Sequence, residues 1–306
     1  SELNEQEQFD FAARLQQLTE EIIYDLLKPY IDQYEVDSVC LSGGVALNCV
    51  MTGKISSWFP KIKNIYIPPV PYDAGLAIGC AQYVYHQLLS VPVDTKDLQN
   101  SPYLGIDYSL SDIMDTLSDH SDKVEFKNSS DSEICELLKS ESIISLFNGK
   151  SESGRRALGN RSIIADPRSN DIRAVVNHKT KHRQWFRPFA PSVLEAKVGD
   201  WFTQDVFSPY MSFAIPFKEE KKAFVPAVVH KDGTGRLQTV SEKLNPRYHQ
   251  LISEWERQTG IPIVLNTSFN DKEPIVETPE DALKCFLKTK IDYLYFMEHN
   301  LLISKK

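Results

Sequence analysis

No stretch of this chain holds the roughly 18 consecutive apolar residues that a membrane-crossing helix needs, so the sequence predicts no membrane span. A secretion signal is not indicated either: the chain opens on SELNEQEQFDF, which is acidic and polar rather than basic and then apolar. Cysteine is sparse. Cys40, Cys49, Cys80, Cys135 and Cys285 are scattered, odd in number and set in apolar surroundings. That pattern argues against a disulfide framework and predicts buried, reduced thiols in a cytoplasmic protein. Positive charge is in deficit, with 34 Lys and Arg against 42 Asp and Glu, a net charge of −8. General nucleic-acid binding is therefore disfavoured. No Gly-x-Ser-x-Gly presents a nucleophile. The one His-x-x-x-His pair, His178 and His182, stands among Lys179, Lys181 and Arg183, and those cations disfavour a bound metal.

What is present is an ordinary globular composition in a chain long enough for two domains. Phe9, Ala12, Leu15, Leu18, Ile22, Leu26 and Leu27 recur at helical spacing and predict an amphipathic helix. SVCLSGGVALNCVMTGKI reads as strand, glycine turn and helix, and NIYIPPVPYDAGLAIGCAQYVYHQLL repeats that scheme with a proline-rich loop. Strands alternating with helices predict an α/β fold with a partly parallel sheet. Composition shifts at SVPVDTKDLQNSPYLGIDYS, which places a domain boundary at about residue 100. Beyond it the pattern predicts helices at SLSDIMDTLSDH, SDSEICELLKS, YHQLISEWERQTG and TPEDALKCFLKT. Strands are expected at SIISLF and IPIVLNTSF, with a last one at YLYFMEHNLLI. Gly260 ends the third of these helices, and Thr278 caps the fourth.

Charge is unevenly placed. Between Gly149 and Arg187 ten basic residues meet three acids, so this segment carries +7 and the rest of the chain −15. Arginines among glycines and serines suit an oxyanion ligand, because a guanidinium binds phosphate or carboxylate in two places at once. A surface salt-bridge cluster is the plainer alternative. The alternation Lys181, Arg183, Trp185, Arg187 fits an extended strand with one basic face. Arg236 follows the glycine turn of HKDGTGRLQTV, and Asn266, Ser268 and Asn270 cluster at the end of IPIVLNTSFN. In the first unit, Gly43 and Gly44 form a turn before a helix, with Asn48 close behind. No Gly-Lys-Ser/Thr follows that turn, so it is not a P-loop. Asp73 precedes a helix of small residues and, on the residues alone, reads as its cap.

The motifs LSGGVALNCVMTGKI, PYDAGLAIGCA, ESGRRALGNRSIIADPR, KHRQWFRPFAPSVL, DGTGRLQTV, TGIPIVLNTSFND and EPIVETPEDAL stand in the order found in NodU/CmcH-type carbamoyltransferases, which the chain resembles from about residue 10 to its end. The resemblance implies the second half of an actin-like (ASKHA) ATPase-fold transfer domain at 1–100 and a YrdC-like domain at 101–306. In that family the YrdC-like part makes carbamoyl adenylate from carbamoyl phosphate and ATP. The actin-like part, with iron or another divalent metal, moves the carbamoyl group to a small-molecule hydroxyl. Carried over motif by motif, Arg156, Lys181, Arg187, Arg236 and Ser268 hold carbamoyl phosphate and ATP, with Asn266 and Asn270 as supports. Gly43, Gly44 and Asn48 match the nucleotide-side loop, and Asp73 matches a metal ligand rather than a cap. Arg155 stands where relatives often have proline, which leaves Arg155 and Arg156 in competition for one role. The chain departs from the family in lacking the earlier half of the transfer domain and its His-x-x-x-His pair. It is therefore expected to be unmetallated and unable to complete transfer unless a partner supplies the rest, and to be prone to self-association. The competing expectations are a YrdC-like RNA-binding module and a threonylcarbamoyl-adenylate-forming enzyme.

Overall fold

The computed structural model describes residues 3–93, 101–184 and 186–306. The boundary expected near residue 100 falls on 94–100, and Trp185 of the basic alternation also lies outside the described residues.

The first unit opens with helix α1 (Glu5–Gln33), started by a capping box between Asn4 and Glu7. Strand β1 (Ser38–Cys40), a 3₁₀ turn (Gly44–Leu47), α2 (Cys49–Trp58), β2 (Asn64–Tyr66) and α3 (Gly75–Tyr83) follow. The two strands pair in parallel, Val39 opposite Ile65. Ile31 of α1 is buried with Met51, Ile55, Phe59 and Ile62. The apolar stripe read from sequence is mostly not covered: Leu15, Leu18, Ile22 and Leu26 are exposed. The thiols also depart from expectation. All five cysteines are free, but only Cys135 and Cys285 are buried, while Cys40 and Cys80 are exposed on the thinly covered first unit.

The second unit runs α4 (Leu110–Asp119), β3 (Val124–Asn128), α5 (Asp131–Lys139), β4 (Ile144–Phe147), β5 (Arg161–Ala165), α6 (Ile172–Val176), β6 (Ala190–Leu194), α7 (Val198–Trp201), β7 (Phe213–Pro216), β8 (Thr234–Val240), α8 (Pro246–Thr259), β9 (Ile263–Ser268), α9 (Pro279–Lys288), β10 (Tyr293–Phe296) and β11 (Leu301–Lys305). Nine strands form one mixed sheet in the order β3-β11-β10-β4-β5-β9-β6-β8-β7. Only β4–β10 and β6–β8 pair in parallel, so the sheet is more antiparallel than the sequence suggested. Alternate residues of each central strand enter opposite cores. Ile163 faces the layer holding Leu117, Leu283 and Phe286, whereas Ile164 faces Leu138, Tyr248 and Trp255. Thr278 and Gly260 cap as expected, the latter at φ 73°. The predicted last strand is two strands. A 3₁₀ turn at Met297–His299 and Asn300 at φ 54° reverse the chain into an antiparallel hairpin. Among the described residues no helix is long and apolar enough to cross a membrane.

The two units meet where α2 lies on β7, the edge of the large sheet. The Thr52 hydroxyl donates to the Ser212 carbonyl at 2.5 Å. A Cβ at Gly53 would stand 2.2 Å from the Ala214 carbonyl oxygen. The helix thus protects an edge strand that would otherwise be open to pairing. Gly53→Ala improves helix propensity by about 1 kcal/mol, but the backbone clash costs more. We expect a net loss of about 1–3 kcal/mol in a denaturation experiment. Gly44→Ala, which meets open space, serves as the control.

Candidate active site

The basic segment is shaped by an acid. Glu152 sits within the loop before β5, and its Oε1 accepts from the N–H groups of Leu158 (2.6 Å), Asn160 (2.7 Å) and Arg161 (3.2 Å). Burial pushes this carboxyl above its usual range. Gly159, at φ 115°, lies flat against Tyr248, where a Cβ would come within 2.3 Å of the ring.

Several of the counted cations belong to the scaffold. Arg161 is fully buried, 3.5 Å above the Phe147 ring, and donates to the carbonyls of Asn148, Gly149, Asn160 and Glu277. Arg168 forks onto Asp166, and Lys179 pairs with Asp292. Arg155 is exposed over the Tyr72 ring at 4.6 Å. Arg156 turns inward instead, its Nη2 reaching the Leu47 carbonyl at 3.4 Å. The structure therefore separates the two arginines that the sequence left in competition.

The remaining cations converge. Burial, then Arg156 and Arg183, hold the Arg236 guanidinium down to about 10. Burial and Arg187 hold Arg183 down to about 10. Burial also lowers Arg156. Among the described residues, none of Arg156, Arg183, Arg187 and Arg236 forms a salt bridge. The Nε atoms of Arg183 and Arg236 are buried without a hydrogen-bond partner. Like charges so arranged repel one another and keep unused donors, which is the electrostatic preparation an anion site requires.

Lys181, Arg187, Ser268 and Asn270 line a cavity of about 580 Å³, together with His182, Arg183, Gln184, Asp271 and Lys272. The Lys181 ammonium donates to the Ser268 carbonyl (2.5 Å) and hydroxyl (3.0 Å), and to the Asn270 carbonyl (2.8 Å) and Oδ1 (2.6 Å). Burial and the neighbouring Arg183 outweigh the opposing pull of Cys285, Asp271 and Glu273 and lower Lys181 to about 7. Among the described residues of 181–187 no strand forms. Lys181 ends a π turn (Asn177–Lys181), and His182 at φ 45° reverses the chain, so Lys181 points inward while Arg187 is exposed on the loop. Arg183 belongs to the cluster although sequence reasoning did not choose it, and its Lys-x-Arg spacing to Lys181 was the available signal.

Other predicted residues sit elsewhere. Asn266 is 1% exposed and does not line the cavity. Its Nδ2 donates to Ser192 Oγ and Gln238 Oε1 and to the Ala157 carbonyl, which secures the loop carrying Arg156. Gly43 and Asp73 line a second cavity of about 710 Å³ between the proline-rich loop and α3. Gly43 adopts φ 94° and donates to the Pro71 carbonyl at 2.6 Å. Gly44 begins the 3₁₀ turn, and Asn48 caps α2 through the Met51 N–H while its amide donates to Gln16 of α1. The Asp73 side chain does not cap α3: the N-cap is Ala74, without a side-chain bond, because the chain already has helical dihedrals there. Among the described residues no group of three His, Cys, Asp or Glu could hold a metal. A single carboxylate does not fit the metal that the resemblance implied.

A family model described as the carbamoyltransferase C-terminus matches residues 135–305, and its companion, the carbamoyltransferase N-terminus, matches residues 1–82. The chain belongs to the carbamoyltransferase family. This carbamoyltransferase-family chain is 38% identical to an uncharacterised protein of Synechocystis sp. (strain ATCC 27184 / PCC 6803 / Kazusa), over 98% of the chain and 53% of that protein. It is 37% identical to the nodulation protein NolNO of Sinorhizobium fredii (strain NBRC 101917 / NGR234), over 94% of the chain and 43% of that protein. It thus spans about half the length of these relatives. A crystal structure of full-length HypF in a phosphate- and nucleotide-bound form overlaps 60% of this chain and 22% of its own, at 15% identity and a TM-score of 0.38, a likeness too slight to carry an argument.

Proposed function

We propose that this chain carries the activating step of ATP-dependent O-carbamoyl transfer. Residues 101–306 act as a YrdC-like domain, and the first unit contributes the second half of an actin-like transfer domain. The observation that carries this reading is the arginine cluster without acidic partners among the described residues, in the carbamoyltransferase family. Carbamoyl phosphate and ATP are polyanions, and each would restore to these guanidiniums the counter-charge they lack.

In this reading Arg156 and Arg236 hold carbamoyl phosphate. Water releases its phosphate and leaves carbamate. A carbamate oxygen then attacks the α-phosphorus of ATP, and pyrophosphate departs with the breaking α–β bridge. Lys181, Arg183, Arg187 and Ser268 stabilise the charge on the α-phosphoryl and departing pyrophosphate oxygens, and Asn270 keeps Lys181 in place. This is catalysis by positioning and fixed charge and needs no protein nucleophile. The second cavity, beside Gly43 and Asp73, receives the adenylate and a small-molecule hydroxyl. Pyrophosphate release from ATP tests the proposal. It should occur only when carbamoyl phosphate is added; release without carbamoyl phosphate, or none with it, counts against the assignment.

The Lys181 ammonium gives a pH test with a definite sign. Its ordinary pKa is 10.5 and the folded site lowers it to about 7. Above pH 7 the free site therefore holds a neutral amine, and a bound anion must bring back a proton. Phosphate-ligand affinity should fall by up to about tenfold per pH unit above 7. Calorimetry at pH 8 in two buffers of different ionisation enthalpy should show proton uptake approaching one, lost in Lys181→Met. Pure proton release would contradict this.

A further inference from the structure

The guest proposed for the second cavity is an anion, because an adenylate carries a negatively charged phosphoryl group. Among the described residues that line this cavity there is no lysine or arginine, and the one charged side chain is Asp73. An anion placed between apolar walls and a carboxylate loses hydration and meets repulsion unless a cation reaches it.

The loop before β5 brings one there. Gly154 adopts φ 105°, and a Cβ on it would stand 2.9 Å from the Pro69 carbonyl oxygen, so this loop is pressed against the proline-rich loop of the first unit. The two residues that follow diverge. Arg156 turns to the Leu47 carbonyl and lies within electrostatic reach of Arg236. Arg155 instead sets its guanidinium 4.6 Å from the centre of the Tyr72 ring, and Tyr72 lines the second cavity. Arg155 also lines a narrow gap that shares Pro68, Pro69 and Pro71 with that cavity. The side chain is exposed and, among the described residues, forms no salt bridge. The ring attracts the cation through its π face, which leaves the guanidinium donors for an oxyanion.

We propose that Arg155 is the phosphoryl-binding residue of the second cavity, pairing with the phosphate of the adenylate while Tyr72 holds the guanidinium at the rim. This rests on the reading that the adenylate enters that cavity. One loop then serves both sites through consecutive residues: Arg156 faces the carbamoyl phosphate, and Arg155 faces the adenylate made from it.

The test follows the methyl NMR signals of Leu76 and Ile78, which line the second cavity and not the arginine-lined one, as AMP or adenosine is added. AMP carries the phosphoryl group and adenosine lacks it. In the wild type AMP should move these signals with an affinity about tenfold above that of adenosine, as expected of a charge-assisted pair. Arg155→Ala should erase that advantage, and Arg155→Lys should keep most of it. Adenosine affinity should stay within about twofold in both variants. Arg155 is exposed, so neither substitution opens a core, and a thermal melt checks folding. Unchanged AMP affinity in Arg155→Ala overturns this proposal and leaves the adenylate reading of the cavity intact. Equal losses for AMP and adenosine also overturn it, because a merely structural contact does not distinguish the two. Wild-type signals that neither ligand moves overturn both the proposal and the reading beneath it.

Discussion

Arg236→Ala should reduce carbamoyl-phosphate-dependent pyrophosphate release by about 10²–10³-fold, the usual cost of removing one preorganised charge donor. It should do so without destabilising the protein. In the free chain Arg236 is half-buried on β8, its Nε has no partner, and Arg156 and Arg183 repel it. On the proposed reading the side chain is unfavourable for folding and favourable for anion binding. Alanine removes the repulsion together with the function, so the melting temperature should stay level or rise. A merely structural arginine would show the opposite pair of results: a lower melting temperature, with residual activity tracking the folded fraction. Parallel melting curves and pyrophosphate assays separate the two outcomes.

The largest stability effect is expected at Glu152. Glu152→Ala leaves the N–H groups of Leu158, Asn160 and Arg161 without the acceptor they share. Each buried donor left unsatisfied costs about 1–3 kcal/mol. The total should reach about 3–5 kcal/mol in chemical denaturation, allowing for partial relaxation. The loop also carries Arg156, so carbamoyl phosphate should bind more weakly in whatever fraction remains folded. Glu152→Gln keeps an oxygen at Oε1, and the opposite oxygen, Oε2, is buried without a partner. That substitution should therefore recover most of the lost stability. Equal losses in both variants would mean that the charge matters, rather than the acceptor.

These two residues also show what the sequence could and could not reveal. The helices were legible because their signals are local: the box around Thr278, the glycine after Thr259, and apolar residues at helical spacing. Ser268 and Asn270 were legible as polar residues at the end of a buried strand, and they do meet Lys181. The burial of α1 was not legible, because periodicity fixes which face is apolar and says nothing about what covers it. The hairpin at Met297–His299 was hidden by an unbroken apolar stretch on either side.

The arginines were the hardest. Arg161 and Arg156 look alike in ESGRRALGNRSIIADPR, yet one is locked to four backbone carbonyls and the other, with one long bond to the Leu47 carbonyl, lies within electrostatic reach of Arg236. That division depends on which carbonyls the fold brings near, and that of Glu277 comes from 116 residues further along the chain. Glu152 passed as one acid in a basic run because its partners are backbone N–H groups, which no side-chain pattern announces. Arg183 was visible but placed on a strand that the described residues do not form, since nothing local signals the reversal at His182.

The most direct test follows carbon from carbamoyl phosphate into adenylate. The chain is mixed with ATP and ¹³C-labelled carbamoyl phosphate, without acceptor, and the products are examined by mass spectrometry. The account predicts a labelled carbamoyl adenylate, formed with pyrophosphate and lost in both Arg236→Ala and Lys181→Ala. Pyrophosphate with unlabelled AMP alone, or an adenylate that persists in both variants, would contradict it.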